Sequence, residues 1–316
     1  MDICNLSSYH TGPFTLLGIP GLEQYHTWIS IPFCFIYLVA IVGNSILLYL
    51  ITMEHSLHTP TFFSLSMLAT TDLILSTICV PKMLSIFWLG PQEISFPGCL
   101  TQLFFLHYSF VLDSAILMAM AFNRYVAICS PLRYTTILTP RTMSKLLWES
   151  VSTFSVFLSH VFLVTHLPFF RTHLIPHTYC EHIGVALLFS PSTSGIFCVP
   201  IMTITVDEIL IAVSYILILH AVFHLPSREA RQKALGTCGS HVCVLMFYIP
   251  AFFSIPVHCF GHNVPRTFHM VFAHLYVVIP PALNPIIYGV KTKQIRDKVI
   301  ILFFPKNIFL KKNEAE

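Results

Sequence analysis

The sequence is poor in charge: only 10% of its 316 residues are Asp, Glu, Lys or Arg, whereas 55% are hydrophobic. The mean hydropathy is +0.75. A soluble globular domain carries about 25% charged residues. The shortage of charge therefore excludes the pair of soluble domains that the length alone would suggest, and it favours a protein that lies largely within a membrane.

Seven long stretches contain at most two acidic or basic residues each. Every stretch meets or exceeds the roughly 20 residues that an α-helix needs to cross the hydrocarbon core of a bilayer. Backbone polar groups find no water in lipid, so each stretch predicts a helix. The sequence thus predicts an all-α membrane protein, a seven-transmembrane helix bundle over residues 27–290, with helices at about 27–53, 58–81, 97–123, 146–168, 196–224, 236–258 and 269–289.

Lysine and arginine are distributed unevenly around these stretches. With the N-terminus outside, only Lys82, Arg171 and Arg266 of the 17 lysine and arginine residues lie on the outer side. Cytoplasmic loops carry the excess of basic residues in membrane proteins. We therefore expect a multi-pass plasma-membrane protein with residues 1–26 outside the cell and residues 291–316 inside. The net charge of +3 is then a signal of topology, not of nucleic-acid binding.

Several motifs of other protein classes are missing. The N-terminus lacks a basic region followed by an apolar stretch and a cleavage site, so we expect no cleaved signal peptide. Residues 267–290 contain no lysine that could hold retinal in a light-driven pump. No nucleotide-binding loop, HExxH or Ser-His-Asp arrangement stands out, which argues against an enzyme. A membrane carrier or channel stays open as an alternative, although no internal repeat supports it.

A set of short motifs runs along almost the whole chain: LLGIPGLE at 16–23, GN at 43–44, LHTPTFFSLSMLATTD at 57–72, MAFNRYVAICSPLRY at 120–134, SY at 214–215, KALGTCGSH at 233–241 and PPALNPIIYG at 280–289. With these motifs the chain resembles an olfactory receptor of the rhodopsin-like G-protein-coupled class, in its class I, fish-like branch. The resemblance implies a receptor that binds small odorant molecules in the outer half of the bundle. It also implies activation of a stimulatory, olfactory-type heterotrimeric G protein that raises cyclic AMP. The same fold used outside the nose, or a weakly functional copy, remains an alternative.

The resemblance places the contact with the G protein at the cytoplasmic end of the third helix. Arg124 is expected to meet the C-terminal helix of the G protein. Asn123 stands where the family usually has an aspartate, and its neutral amide forms weaker hydrogen bonds than a carboxylate. Either the resting state is less well held and basal signalling rises, or the substitution is tolerated. The expected activation residues also include Tyr125, Tyr215, His241 and Tyr288.

Two acidic residues, Asp72 and Asp113, lie in the middle of predicted membrane helices. Acidic groups at membrane depth are costly and mark functional sites. We expect the pair, with Asn44 and Asn284 nearby, to bind a sodium ion or to share a proton. A hydrogen-bonded polar cluster without metal is the alternative, and no other cofactor is expected.

Two of the ten cysteines, Cys99 and Cys180, are expected to form a disulfide because the resemblance implies it. The outer side of the membrane is the oxidising side. The same bond would remove the Cys180 thiolate from any metal site with His177 and His182. Asn5 begins a glycosylation sequon, Asn-Leu-Ser, in the expected outer segment.

The ligand pocket is expected between the third, fifth, sixth and seventh helices, with a largely apolar lining and few polar groups. Cys259 stands where some class I receptors carry a basic residue. This favours neutral ligands such as alcohols, aldehydes or ketones, or acids held through a histidine. The expected lining residues are His107, Phe110, Val111, His182, Phe197, Ile201, Tyr248, Phe252, Ile255 and Cys259.

The segment GVKTKQIRDKVIILFF, which follows Tyr288, combines basic residues with Ile, Leu and Phe. This pattern predicts a short amphipathic helix on the inner membrane surface. Its basic residues favour anionic lipid head groups, and its apolar residues can enter the membrane interface.

Overall fold

A computed structural model of the chain describes residues 13–129, 173–180 and 266–303, together with single positions between 209 and 231. These residues are mostly helical. Four segments among them are long and apolar enough to cross a membrane: Glu23–Met53, Thr61–Leu89, Phe96–Asn123 and Ala273–Val290. The helices are α1 (His26–Met53), α2 (Pro60–Leu89), α3 (Phe96–Cys129), α4 (Arg266–Lys291) and α5 (Lys293–Phe303). The predicted spans 146–168, 196–224 and 236–258 lie wholly or largely outside the described residues.

Helices α2 and α3 extend well beyond the ends that the sequence suggested. Thr59 is extended, as expected for a residue before proline, and Pro60 begins α2. The helix then continues through Pro81 to Leu89, whereas residue 81 was the expected end. Neighbouring helices can accommodate a proline within a membrane span, so Pro81 does not end the helix. Likewise α3 continues beyond the expected residue 123 to Cys129.

The close approach of α1 and α4 depends on a proline and a glycine. Pro285 has no N–H, so the carbonyl of Pro281, one helical turn earlier, loses its usual partner. The Asn44 side chain of α1 supplies a donor: its Nδ2 lies 2.8 Å from the Pro281 carbonyl oxygen. A Cβ at Gly43 would lie 2.7 Å from Cγ of Pro285, which is closer than packed atoms come. The two helices can therefore meet here only because residue 43 is glycine.

A small three-stranded sheet covers one end of the bundle, here called the sheet end. Its strands are β1 (Phe14–Leu16), β2 (Gln92–Ile94) and β3 (Leu174–Ile175), in the order β2-β1-β3. β1 pairs antiparallel with β2 and parallel with β3. The buried cluster under the sheet comprises Phe14, Leu16, Ile86, Cys99, Ile175 and Cys180.

Helix α5 lies at the opposite end of the bundle, here called the α5 end. Lys298 forms an ion pair with Glu54, which follows α1, and Ile295 is buried in the core cluster of that end. The last residues of α5 are apolar and exposed: Ile300, Ile301, Leu302 and Phe303. This distribution is that of a helix with one side on the bundle and apolar side chains available to a membrane interface.

The apolar face of α1 points away from the bundle. Trp28 is 72% exposed and Phe35 is 68% exposed. Such a row of large exposed apolar side chains is unusual in a water-soluble monomer. It fits a helix whose outer face contacts lipid.

Gly43→Ala should destabilise the protein, because the new methyl group would overlap Pro285 in the α1–α4 contact. Overpacking of this kind costs about 1–3 kcal/mol. Thermal unfolding of the purified receptor in detergent measures the effect as a lower midpoint. Gly289→Ala is the matched control, since no atom of the described residues outside its own stretch of helix lies within 4 Å of the Cβ it would add. Equal midpoints for both variants would contradict the packing argument.

Candidate functional site

A buried polar cluster lies where α2, α3 and α4 meet. Asp72 of α2 and Asn284 of α4 are both fully buried, and Nδ2 of Asn284 donates a hydrogen bond of 2.9 Å to Oδ2 of Asp72. This contact joins two of the four residues that the sequence grouped together. It gives one carboxylate oxygen a donor in a place where an unpaired polar group is costly.

Asp113 of α3, also buried, has a partner that sequence reasoning missed. Its Oδ1 contacts the hydroxyl group of Thr71, the residue before Asp72 in α2. The same hydroxyl lies 2.8 Å from the Leu68 carbonyl oxygen. Thr71 has a single O–H, and a carbonyl only accepts. A proton on the Asp113 carboxyl would let each contact be a separate hydrogen bond, whereas an ionised carboxylate would have to share the single O–H with the Leu68 carbonyl.

Asn44 is buried nearby, but its amide group bridges α1 and α4 and does not bond to either carboxyl group. Its Nδ2 donates to the carbonyl oxygens of Ala40 and Pro281. Among the residues that the structure describes, three buried oxygens of the group have no hydrogen-bond donor: Oδ1 of Asn44, Oδ1 of Asp72 and Oδ1 of Asn284. Oxygen atoms of this kind are the ligands that hard cations prefer.

The α5 end contains the described part of the expected activation residues. Asn123 is buried, and its Nδ2 donates a hydrogen bond of 2.9 Å to Oγ1 of Thr61 at the start of α2. This α2–α3 link was not predicted. Tyr288 is buried in the core cluster of the same end. Arg124 and Tyr125 belong to α3, but their side chains, like Tyr215 and His241, lie outside the described residues.

Towards the sheet end, α3 presents three of the expected pocket residues. His107 is buried, and its Nδ1 lies 2.9 Å from the carbonyl oxygen of Leu103, one turn earlier in the same helix. Its ring centroid is 6.2 Å from that of Phe110. Phe110 and Val111 are half-buried. The other expected lining residues lie outside the described part of the chain: His182, Phe197, Ile201, Tyr248, Phe252, Ile255 and Cys259.

The predicted disulfide between Cys99 and Cys180 is confirmed, with Cα atoms 5.5 Å apart. It attaches residues 173–180 to the start of α3 and leaves no Cys180 thiolate for a metal. Gln102 adds a second attachment that the sequence did not indicate: its Oε1 accepts a hydrogen bond of 2.8 Å from the backbone N–H of Cys180. The sequon at Asn5 lies outside the described residues.

Comparison with known proteins identifies the family. The sequence profile of the olfactory receptor family matches residues 33–306. The chain belongs to the olfactory receptor family. It is 72% identical over 310 residues to human olfactory receptor 52H1, an alignment that covers 96% of this chain and 98% of the relative. It is 54% identical to human olfactory receptor 52B2, over 96% of both chains.

Membership of the olfactory receptor family confirms the resemblance drawn from the motifs. The matched residues 33–306 include the buried acids, the end of α3 and the α4 motif. This family consists of receptors, which agrees with the expectation that the chain is not an enzyme. Asn123 stands where the family usually has an aspartate, and in the structure its amide bonds the side chain of Thr61.

Asn123→Asp should lower basal signalling of this olfactory receptor. The Thr61 hydroxyl would then donate to a carboxylate, and such charge-assisted bonds are about twice as strong as neutral ones. A gain of about 1 kcal/mol in the resting state would reduce basal cyclic AMP about fivefold. Cyclic AMP in unstimulated cells with matched surface expression measures the effect. Thr61→Val removes the partner, so adding Asn123→Asp to a receptor that carries Thr61→Val should lower basal cyclic AMP less. Unchanged basal cyclic AMP in the single variant Asn123→Asp would contradict the expectation.

Proposed function

We propose that this member of the olfactory receptor family is an odorant receptor that couples to a stimulatory, olfactory-type G protein and raises cyclic AMP. The family match over residues 33–306 is the observation that carries the proposal. The arrangement of the described residues supports it. The buried His107 lies towards the sheet end of the bundle, whereas Asn123, Arg124 and Tyr288 lie at the opposite α5 end. One end is suited to a small molecule and the other to a protein partner.

In this proposal the chain crosses the plasma membrane seven times, with the sheet end outside and the α5 end in the cytoplasm. Four apolar helices of sufficient length support the membrane part. The disulfide at the sheet end suits the oxidising side of the membrane. Lys293, Arg296 and Lys298 in α5 place positive charge at the other end, as the distribution of basic residues in membrane proteins requires.

The ligand is a small odorant held in the half of the bundle nearest the sheet. His107 and Phe110 of α3 provide one wall, with a polar ring edge and an aromatic surface side by side. Pockets of this composition bind small apolar molecules that carry one or two polar groups. With Cys259 in place of a basic residue, neutral alcohols, aldehydes and ketones are favoured over free carboxylates.

Arg124→Ala should abolish the odorant-dependent rise in cyclic AMP while surface expression is retained. In the proposed mechanism, the arginine at the end of α3 contacts the G protein only after the bundle opens. Cells that express the receptor with the olfactory G protein, scanned with small odorants, measure the response. Detection of an N-terminal tag on intact cells provides the expression control. A full response in the variant would show that coupling does not depend on Arg124.

We also propose that the buried acids of α2 and α3 form a site for a sodium ion and a proton. The three oxygens of Asn44, Asp72 and Asn284 that lack donors among the described residues favour a cation. The two contacts of the Thr71 hydroxyl favour a proton on Asp113. A protonated Asp113 leaves Asp72 as the single carboxylate, which avoids two uncompensated charges in one buried place.

Asp72→Asn should remove the sodium dependence of signalling, since the variant lacks the charge that attracts the cation. In the unmodified receptor, raising external sodium from near zero to about 0.15 M should reduce basal cyclic AMP, because the ion stabilises the resting state. Asp113→Asn is the matched control and should keep the sodium response, since an amide replaces a carboxyl that is already neutral. An equal response to sodium in the Asp72→Asn variant would rule out the cation site.

A further inference from the structure

Residues 178–180 enter the bundle at the sheet end and do not lie over its surface. Thr178 and Cys180 are fully buried, and Tyr179 is 2% exposed. Tyr179 belongs to a buried cluster that includes Cys79 and Met83 of α2 and Val277 of α4. A loop segment with no exposed side chain over three consecutive residues contributes to the interior of the protein.

The residue before Tyr179 is attached to α4. The Thr178 hydroxyl contacts Nε2 of His274, and Nδ1 of the same ring contacts the Met270 carbonyl oxygen. Because a carbonyl only accepts hydrogen bonds, a neutral His274 ring carries its proton on Nδ1. Nε2 is then the acceptor, and Thr178 donates to it. The hydrogen bond to Met270 therefore sets the imidazole tautomer whose Nε2 accepts the bond from Thr178.

The residue after Tyr179 is attached to α3 and, through it, to α2. Cys180 forms the disulfide with Cys99, and its backbone N–H donates to Oε1 of Gln102. Nε2 of Gln102 donates in turn to the Ile78 carbonyl oxygen of α2, at 3.0 Å. Thus Tyr179 is held on one side by the bond of Thr178 to α4 and on the other by the bonds of Cys180 to α3, and Gln102 connects α3 to α2.

The Tyr179 ring also has defined aromatic neighbours. Its centroid lies 4.4 Å from that of His177 and 5.6 Å from that of His274, with both pairs steeply inclined. Phe110, one of the expected pocket residues, packs against the same buried cluster as Tyr179. The ring therefore contacts His274 of α4 and belongs to the buried cluster against which the pocket residue Phe110 packs.

We propose that Tyr179 is a specificity-determining residue of the ligand pocket, and that Thr178, His274 and Gln102 are positioning residues that hold its ring between α2, α3 and α4. This inference rests on the odorant pocket proposed above. Tyr179 closes the pocket on the side of α2 and α4, and so limits the length of ligand that the receptor accepts. A purely structural tyrosine would support folding without changing which ligands are preferred.

The first experiment uses straight-chain alcohols and aldehydes of about four to ten carbons as probes. In Tyr179→Ala, and in the milder Tyr179→Leu, the preference should shift to longer chains. Each methylene group that fills the new space should improve the concentration for half-maximal cyclic AMP about fourfold. Tyr179→Phe keeps the ring and should keep the order of potency. An unchanged order in a Tyr179→Ala or Tyr179→Leu receptor at normal surface level would overturn the specificity role.

The second experiment needs no ligand and tests the attachment of the loop. Exchange of the amide hydrogens at residues 177–180 is measured in the purified full-length receptor. Thr178→Val removes the hydroxyl at constant shape and leaves the His274 ring without its donor, so exchange should accelerate about ten- to hundredfold. Thr178→Ser keeps the hydroxyl and should retain the protection. Equal protection in the valine and serine variants would overturn the positioning role.

The two experiments distinguish this inference from the proposed function. If no alcohol or aldehyde raises cyclic AMP in the unmodified receptor, the odorant function is contradicted, and the specificity role of Tyr179 with it. Loss of protection in Thr178→Val would still support the attachment of the loop. If odorants act but Tyr179 variants keep the same order of potency, only the specificity role fails.

Discussion

The structure depends on one constraint: polar groups buried in an apolar bundle must find their partners within the protein. The α1–α4 contact shows how this constraint shapes the fold. Pro285 deprives the Pro281 carbonyl of its helical N–H, and Asn44 supplies a donor from the neighbouring helix. The donor can reach because Gly43 lets α1 approach Pro285. This contact keeps α4 at the depth where Asn284 meets Asp72.

The same rule accounts for other polar links between helices in the described part of the chain. Thr71 reaches Asp113 in the middle of the bundle, Asn123 reaches Thr61 at the α5 end, and Trp88 Nε1 donates to Oγ of Ser30 at the sheet end. Each joins two helices at a different depth. Apolar contacts between helices have no preferred direction, whereas a hydrogen bond forms only over a narrow range of distance and angle. Such bonds therefore fix the positions of the helices relative to one another. Two residues of the proposed function, Asp113 and Asn123, are among these links.

Resemblance predicted some partners of the candidate site and missed others. The resemblance predicts the bond between Cys99 and Cys180, and the cost of an acid at membrane depth predicts that Asp72 lies near polar groups such as Asn284. Thr71, Gln102, Thr178 and His274 carry no such signal, since a threonine, glutamine or histidine in an apolar helix has many uses. Asn44, which is expected near the acids, also bonds the backbone of α4 through its Nδ2, and this second role carries no signal in the sequence. The charge of Lys82 sets the expected end of α2 at residue 81, but a single charge does not end a helix, and α2 continues to Leu89.

The sequence alone determined the membrane class, the family and the uneven distribution of basic residues along the chain. Hydropathy and motifs are local properties that can be read residue by residue. The contacts between side chains cannot be read from the sequence in this way. Asp72 and Asn284 are 212 residues apart in the chain, and Asn44 and Pro281 are 237 apart. Their contacts exist only after helices pack at one depth and rotation. The placement of Tyr179 between three helices follows from that packing and from no pattern within the segment that contains it.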